Sequence, residues 1–218
     1  MNTYLVKTPK IFQRFYPKRI WAFPKDTNAV FLSFDDGPIP EVTPWVLDIL
    51  KEHNAKATFF CIGENIKKHP EIFKRIISEG HSIGNHTFNH LNGWKTKTED
   101  YIQNCFKYEK ILKRVQDDNS TLSTLHASLF RPPYGKLTSK QSKVLQKKGY
   151  KIIMWDVLSG DFNNTVSKEK DLEKTLKNIE PGSIVVFHDS LKAEEKLSYM
   201  LPKVLEYIDV QKWKCARI

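Results

Sequence analysis

Five short segments of this chain hold the side chains best suited to chemistry. The first, Ser33-Phe34-Asp35-Asp36-Gly37-Pro38, sets two carboxylates side by side. Such a pair is either a turn, which Asp and Gly-Pro favour, or a division of labour between a metal ligand and a base. The second runs from His81 to His90 and spaces His86 and His90 four apart, which predicts one helical face and a shared metal ion. With Asp36 the two histidines make a His-His-carboxylate set, which leaves positions open for water and substrate, as catalytic metal sites do. The third, Phe130-Arg131-Pro132-Pro133-Tyr134-Gly135, reads as a rigid loop carrying one arginine. The fourth, from Trp155 to Phe162, contains Asp156 and Asp161, and the fifth, Ile184 to Asp189, ends in His188-Asp189. A histidine directly after an all-apolar strand is poorly solvated, so its pKa depends on any neighbouring carboxylate.

Each segment follows a run that reads as a β-strand. Strands are predicted at Ala29–Phe34, Thr58–Ile62, Ser82–Gly84, Ser128–Phe130, Lys151–Asp156, Ser183–Phe187 and Trp213–Ala216. Between them, helices are predicted at Glu41–His53, Pro70–Glu79, Thr98–Val115, Ser139–Lys148, Lys168–Asn178 and Ala193–Ile208. Alternating apolar strands and amphipathic helices predict a parallel sheet covered by helices. About seven β-α units suit a distorted or incomplete (β/α) barrel better than a five-stranded open sheet, and chemistry is then expected at the carboxyl ends of the strands. The five segments fall there. Of the remaining candidates, His53, His69 and His126 are expected at the surface, and His81 as a neighbour of the site rather than a ligand. Trp45, Trp94 and Trp213 are expected to pack rather than bind a ligand, Trp155 to pack at the barrel mouth, and Asp189 could cap the following turn.

The 218 residues are 40% hydrophobic and 28% charged, with ordinary Gly and Pro content, which excludes low-complexity disorder and fits one domain. No apolar run approaches the roughly 20 residues of a membrane-spanning helix. Three widely spaced cysteines, with no CxxC, predict free thiols rather than a disulfide framework or zinc ribbon. The basic, aromatic stretch 1–25 lacks the continuous apolar core of a secretory signal and is expected to be an extension of a single catalytic domain over 26–218, in a cytoplasmic protein. The net charge of +10 is concentrated. Residues 1–25 and residues 132–155 each hold six basic side chains and no acid, so the rest of the chain is close to neutral. Such patches bear on docking, and contact of residues 1–25 with an anionic membrane is one expectation. No nucleic-acid-binding motif accompanies the charge, so no nucleic-acid partner is expected.

Together the segments resemble the polysaccharide deacetylases of carbohydrate esterase family four, the NodB-like homology domain. Ser33–Pro38 matches the (T/S)FDDGP motif, Gly80–His90 the GHxIGNHxxxH motif and Arg131–Tyr134 the RxPY motif. Asp161-Phe162 matches the end of DxxDW, and Val186 with His188 the LxxH-type motif. The resemblance implies that Asp36, His86 and His90 hold a divalent metal, zinc above others. It implies Asp35 as general base, oriented by Arg131, and the Tyr134 backbone N–H as an oxyanion donor. His188 would be the general acid, oriented by Asp161, and Phe162, Pro133 and Val186 would border the substrate. The implied reaction is hydrolysis of an acetamide on an N-acetylated amino sugar, polysaccharide or oligosaccharide. Leu158 and Phe162 stand where the family usually has an acid and a tryptophan, which alters the wall beside the substrate. The alternatives are a deacetylase of lipid-linked or lipopolysaccharide amino sugars at the cytoplasmic membrane face, and a non-enzymatic glycan-binding barrel.

Overall fold

The computed structural model describes residues 4–116 and 128–218. His126 lies outside the described residues.

The strands are β1 (Ala29–Asp35), β2 (Thr58–Cys61), β3 (Ser82–Asn85), β4 (Leu129–Phe130), β5 (Lys151–Ile152), β6 (Val157–Leu158), β7 (Ile184–His188) and β8 (Lys214–Cys215). Seven of them form a parallel sheet in the order β5-β4-β3-β2-β1-β7-β6, and β8 pairs with the start of β1. Every residue of β1 is buried, and so are the first four of β7, because both strands are covered on two faces and apolar along their length. Helices α1 (Lys10–Phe15), α2 (Thr43–Glu52), α3 (Gly63–Lys68), α4 (Pro70–Ser78), α5 (Thr98–Gln116), α6 (Ser139–Lys147), α7 (Lys168–Asn178) and α8 (Glu194–Val210) complete the elements. The sheet curls into a half-barrel, the incomplete (β/α) barrel that the alternation predicts.

Local signals place the main helices. Pro70 opens α4 and Gly80, at φ 82°, follows its end. Thr138 and Gln141 form a capping box at the start of α6. The largest core cluster packs α2, α4 and α8 against β1, β2 and β7. At its centre Phe34 is fully buried and stacks on Phe59 and Phe187 at 5.1 and 6.0 Å. Cys61 and Cys105 are buried free thiols, and Cys215 is a half-buried one.

One predicted strand divides in two. Lys151–Asp156 was expected to be continuous, but only Lys151 and Ile152 pair with β4, and the chain then crosses to begin β6 beside β7. The division falls where the half-barrel stays open: among the described residues no ladder joins β5 to β6. The amino-terminal segment runs along this gap. Ile20 bonds to the β5 side through its N–H to Ile152 O and its carbonyl to Met154 N, at 2.8 and 2.7 Å. Val6 and Thr8 bond to the β6 side, where Leu158 N donates to Val6 O at 2.8 Å and Thr8 N to Asp156 O at 2.8 Å. Phe23 N reaches Gly182 O at 2.8 Å. Arg19 is buried and donates to Leu137 O, and Lys7 pairs with Asp156 at 2.6 Å. Residues 4–25 therefore act as a strap across the barrel opening.

Candidate active site

The candidate side chains lie at or just beyond the carboxyl ends of the strands, except Val186, which sits inside β7. Asp35 is the last residue of β1 and is buried, whereas Asp36 follows at φ 87°, in the left-handed region a non-glycine residue seldom adopts. This turn gives adjacent carboxylates different surroundings. Asp35 Oδ1 accepts from Arg131 Nη1 at 2.7 Å, and Asp36 Oδ1 lies 3.2 Å from His90 Nε2 and 3.7 Å from His86 Nε2.

Three residues that the motifs did not single out for this role hold the turn. Asn65 Nδ2 donates to Asp36 O at 2.7 Å. Asp189 accepts from Gly37 N at 2.9 Å and from the Thr43 hydroxyl at 2.6 Å. A Cβ on residue 37 would lie 1.9 Å from Asp189 Oδ2, so glycine is needed for this close approach. Asp189 thus reaches back to the β1 loop instead of capping the turn after it. Burial pushes its carboxyl up to about 8, against the bonds from Thr43 and Gly37.

His86 and His90 do converge, but not on a helix. They stand on a turn after β3, with Thr87 at φ 67° and His90 at φ 60°, and these left-handed residues rule out the expected helical face. His86 Nδ1–H donates to Arg131 O at 2.9 Å, which leaves Nε2 free to face Asp36. His90 Nδ1 shares a hydrogen bond with the Tyr134 hydroxyl at 3.1 Å. Burial lowers the His86 pKa to about 4, so its imidazole is neutral, as a ligand must be. Burial opposes the charge on Asp36, but the adjacent His90 and the fields of His188 and His86 outweigh it and hold the carboxyl well below its usual range. His81 is buried, accepts from Ala57 N at 3.1 Å and takes no part in this cluster.

The ligand atoms of Asp36, His86 and His90 all lie within 4.8 Å of one another. Asp36 Oδ1 is buried with no hydrogen-bond partner, an uncommon state for a carboxylate oxygen. An orphaned oxygen facing two imidazole nitrogens fits a divalent cation in both charge and donor type.

Arg131 is 0% exposed and is the largest fully buried side chain among the described residues. Besides Asp35 it donates to the Ser33 hydroxyl at 2.8 Å, Met154 O at 3.0 Å and Ile153 O at 3.4 Å, and its guanidinium lies 4.0 Å from the Phe60 ring centroid. Tyr134 follows on a single 3₁₀ turn, Pro133–Gly135, at φ 59° with its ring largely exposed.

On the other side of β1, His188 is the register partner of Asp35 in β7. Its Nδ1 meets Asp161 Oδ1 at 2.8 Å, and its backbone N–H donates to Asp161 Oδ2 at 2.7 Å. The Phe162 ring packs edge-on against the imidazole at 5.1 Å. Burial disfavours the imidazolium, but the Asp161 carboxylate, with Asp36 and Asp35, prevails and pushes the pKa up to about 9. In the metal-free protein the stability from this pair is complete below the ordinary histidine value of 6.5 and is lost as pH rises through about 9. Urea unfolding of metal-free protein between pH 6 and 10 is expected to show this decline. The Asp161→Asn variant is expected to show a flatter one, and equal slopes would refute the linkage.

Of the residues expected to border the substrate, Phe162 is half-buried beside His188, whereas Pro133 is buried and Val186 is 1% exposed. As folded, Pro133 and Val186 present little surface to a ligand. Trp45 and Trp213 pack on the main core, and Trp155 joins two smaller clusters. Trp94 does not pack: it is 65% exposed, with Lys136 Nζ 5.4 Å from its ring centroid. Its neighbour Gly93 packs closely on the Lys136 backbone, where a Cβ would lie 2.4 Å from Lys136 O.

The sequence pattern of the family described as polysaccharide deacetylase matches residues 23–153. A peptidoglycan-N-acetylglucosamine deacetylase of Bacillus cereus is 41% identical over 175 residues, 79% of this chain and 61% of that protein. The chain thus spans about three fifths of that relative's length. A chitooligosaccharide deacetylase of Azorhizobium caulinodans is 34% identical over 78% of each chain. Among solved structures, the Bc1960 peptidoglycan N-acetylglucosamine deacetylase superposes with a TM-score of 0.85 at 33% identity, covering 97% of this chain and 95% of its own. On the family match and these identities, the chain belongs to the polysaccharide deacetylase family.

Proposed function

We propose that this protein hydrolyses the N-acetyl group of an N-acetylated amino sugar within an oligosaccharide or polysaccharide, releasing acetate and leaving a free amine. The observation that carries this reading is the orphaned Asp36 Oδ1 facing His86 and His90, beside a buried carboxylate and an imidazole that each have a dedicated partner. Asp36, His86 and His90 are the residues that hold a divalent cation, with zinc the metal this donor set suits best. When bound, the cation polarises an acyl oxygen and acidifies water.

The chain's own groups divide the proton transfers. Asp35 takes a proton from the water that adds to the acetyl carbon, while Arg131 fixes the carboxylate and supplies its counter-charge. The Tyr134 backbone N–H donates to the oxygen on which charge develops. His188 gives its Nε2 proton to the sugar nitrogen as the C–N bond breaks, and Asp161 orients the ring through Nδ1. Phe162 shields the imidazole on one side.

The relatives named for peptidoglycan and chitooligosaccharide favour N-acetylglucosamine units. An acetate-release screen over chitooligosaccharides, peptidoglycan fragments, and nucleotide- or lipid-linked amino sugars tests the reading. Release from N-acetylglucosamine oligomers is expected, lost after dialysis against a chelator and regained with zinc. Metal-loaded protein that releases acetate from none of these substrates would overturn it.

A second reading concerns location. Helix α1 is amphipathic but turned outward: Ile11, Phe12 and Phe15 are exposed, Phe15 at 71%, while Gln13 is half-buried towards the body. Lys10, Arg14 and Lys18 surround them with no acid in reach along residues 4–25. Outward aromatic side chains ringed by cations suit an anionic lipid surface, which would bring a membrane-proximal glycan to the site. Because residues 4–25 are bonded into the barrel, point substitution tests this better than truncation. Wild-type protein is expected to float with phosphatidylglycerol vesicles, and Phe12→Ser/Phe15→Ser protein is expected to stay behind. Equal flotation of the two would refute membrane docking.

A further inference from the structure

We infer that Tyr4, at the start of the amino-terminal strap, is a positioning residue for the Asp161–His188 pair. The inference rests on the reading of His188 as the acid of the site. It concerns a residue nearly 160 positions earlier in the chain, outside every motif.

Asp161 and Phe162 sit on the loop that follows β6. His188 is aligned only while this loop keeps its place, since Asp161 holds both the Nδ1 and the backbone N–H of His188. The loop is fixed from one side by Tyr4. The Tyr4 ring lies 5.5 Å from that of Phe162, tilted by 59°, and Phe162 in turn lies 5.1 Å from His188. Two aromatic contacts thus connect the strap to the imidazole. The Tyr4 hydroxyl fills the space above Gly160, where a Cβ would lie 1.8 Å from its oxygen, and Gly160 itself is at φ 83°. The backbone bond from Leu158 N to Val6 O holds Tyr4 in register with this loop.

The hydroxyl also closes a buried polar network. It donates to Asp171 Oδ1 in α7, while Lys196 of α8 donates to Asp171 Oδ2 at 2.5 Å and to Asn163 O at 2.6 Å. Asp171 is fully buried and Lys196 nearly so. Removing an ion pair from water costs free energy that its attraction does not reliably return, so such a pair is weak evidence for stability. Here its arms end on the two sides of Phe162: Asn163 O through Lys196, and the Tyr4 ring through Asp171. The network therefore acts as a clamp on the loop. Burial and the adjoining Asp171 carboxylate raise the Tyr4 pKa far above its ordinary value, so the hydroxyl stays a donor at any working pH.

The test uses Tyr4→Ala and Tyr4→Phe in the full-length, zinc-loaded protein with a chitooligosaccharide substrate. Tyr4→Ala is expected to lower kcat by about ten- to a hundredfold through misalignment of His188, with KM and zinc content little changed. Its low-field His188 Nδ1–H resonance, assigned by its loss in Asp161→Asn, is expected to broaden or vanish. Tyr4→Phe keeps the ring contact and is expected to recover most of the turnover and the resonance. If Tyr4→Ala keeps wild-type kcat and resonance, the inference fails. It fails also if turnover falls only in proportion to the fraction folded or to bound zinc. If wild-type protein releases no acetate, the reading of the site fails instead, and the resonance still decides whether Tyr4 positions His188.

Discussion

The Asp35→Asn variant is expected to lose turnover by about 10²–10⁴-fold while still binding one zinc per chain. The amide is nearly the shape of the carboxylate and can still accept from Arg131 Nη1, so the hydrogen-bond frame around Ser33, Arg131 and residue 35 stays in place. What it lacks is the capacity to take up a proton. The metal set is carried by the neighbouring residue, whose carboxylate faces away from Arg131 towards His86 and His90. Zinc content by elemental analysis and kcat on a chitooligosaccharide separate the two properties, and His188→Ala is expected to behave in the same way. Near-wild-type turnover in either variant would remove that residue from its role. Loss of zinc with Asp35→Asn would mean that the division of labour between Asp35 and Asp36 is misassigned.

The Arg131→Met variant is expected to be destabilised by about 3–5 kcal/mol, the cost of leaving a buried carboxylate without its partner. Arg131 and Asp35 are both almost wholly excluded from solvent, and each answers the other's charge. The guanidinium also satisfies the Ser33 hydroxyl and two carbonyls on residues 153 and 154, so methionine leaves those acceptors short as well. Arg131→Lys is expected to rescue little, because a single ammonium cannot span four acceptors around a planar fork. Urea titration measures the loss. A difference below about 1 kcal/mol between wild type and Arg131→Met would show that water enters the site and solvates Asp35.

The core of the fold was legible because β1 and β7 are apolar on both faces and can only be central strands of a covered sheet. The site was legible for a related reason: Asp36, His86 and Arg131 each follow a strand and His188 ends one, and polar residues recurring at strand ends stand out. The features that escaped are local conformations and distant pairings. The four-residue spacing of His86 and His90 matches a helix as well as a turn, and only the left-handed Thr87 and His90 decide between them. Lys151–Asp156 is uniformly apolar enough for one strand, and nothing in its pattern marks the open side of the barrel. Helices α1 and α3 are six residues long, too short for periodicity to register. Asp189 could be read as a cap because its partners Gly37 and Thr43 lie some 150 positions earlier. Trp94 was expected to pack by residue type alone, and residue type does not reveal its 65% exposure. The charge of residues 1–25 was visible as a patch, but Lys7 and Arg19 are tied into the barrel, so the free cations are fewer than the count suggests.

The strap has a consequence for how the molecule is made. Residues 4–23 leave the ribosome before their backbone partners, which lie at Ile152, Met154, Asp156, Leu158 and Gly182. The segment that closes the barrel must therefore wait for most of the chain to be synthesised before it can dock. Even in the finished fold Ile11, Phe12 and Phe15 remain exposed, at 54%, 45% and 71%. Contacts of such long sequence separation form late, and a nascent chain with an undocked apolar segment is exposed to association throughout that interval.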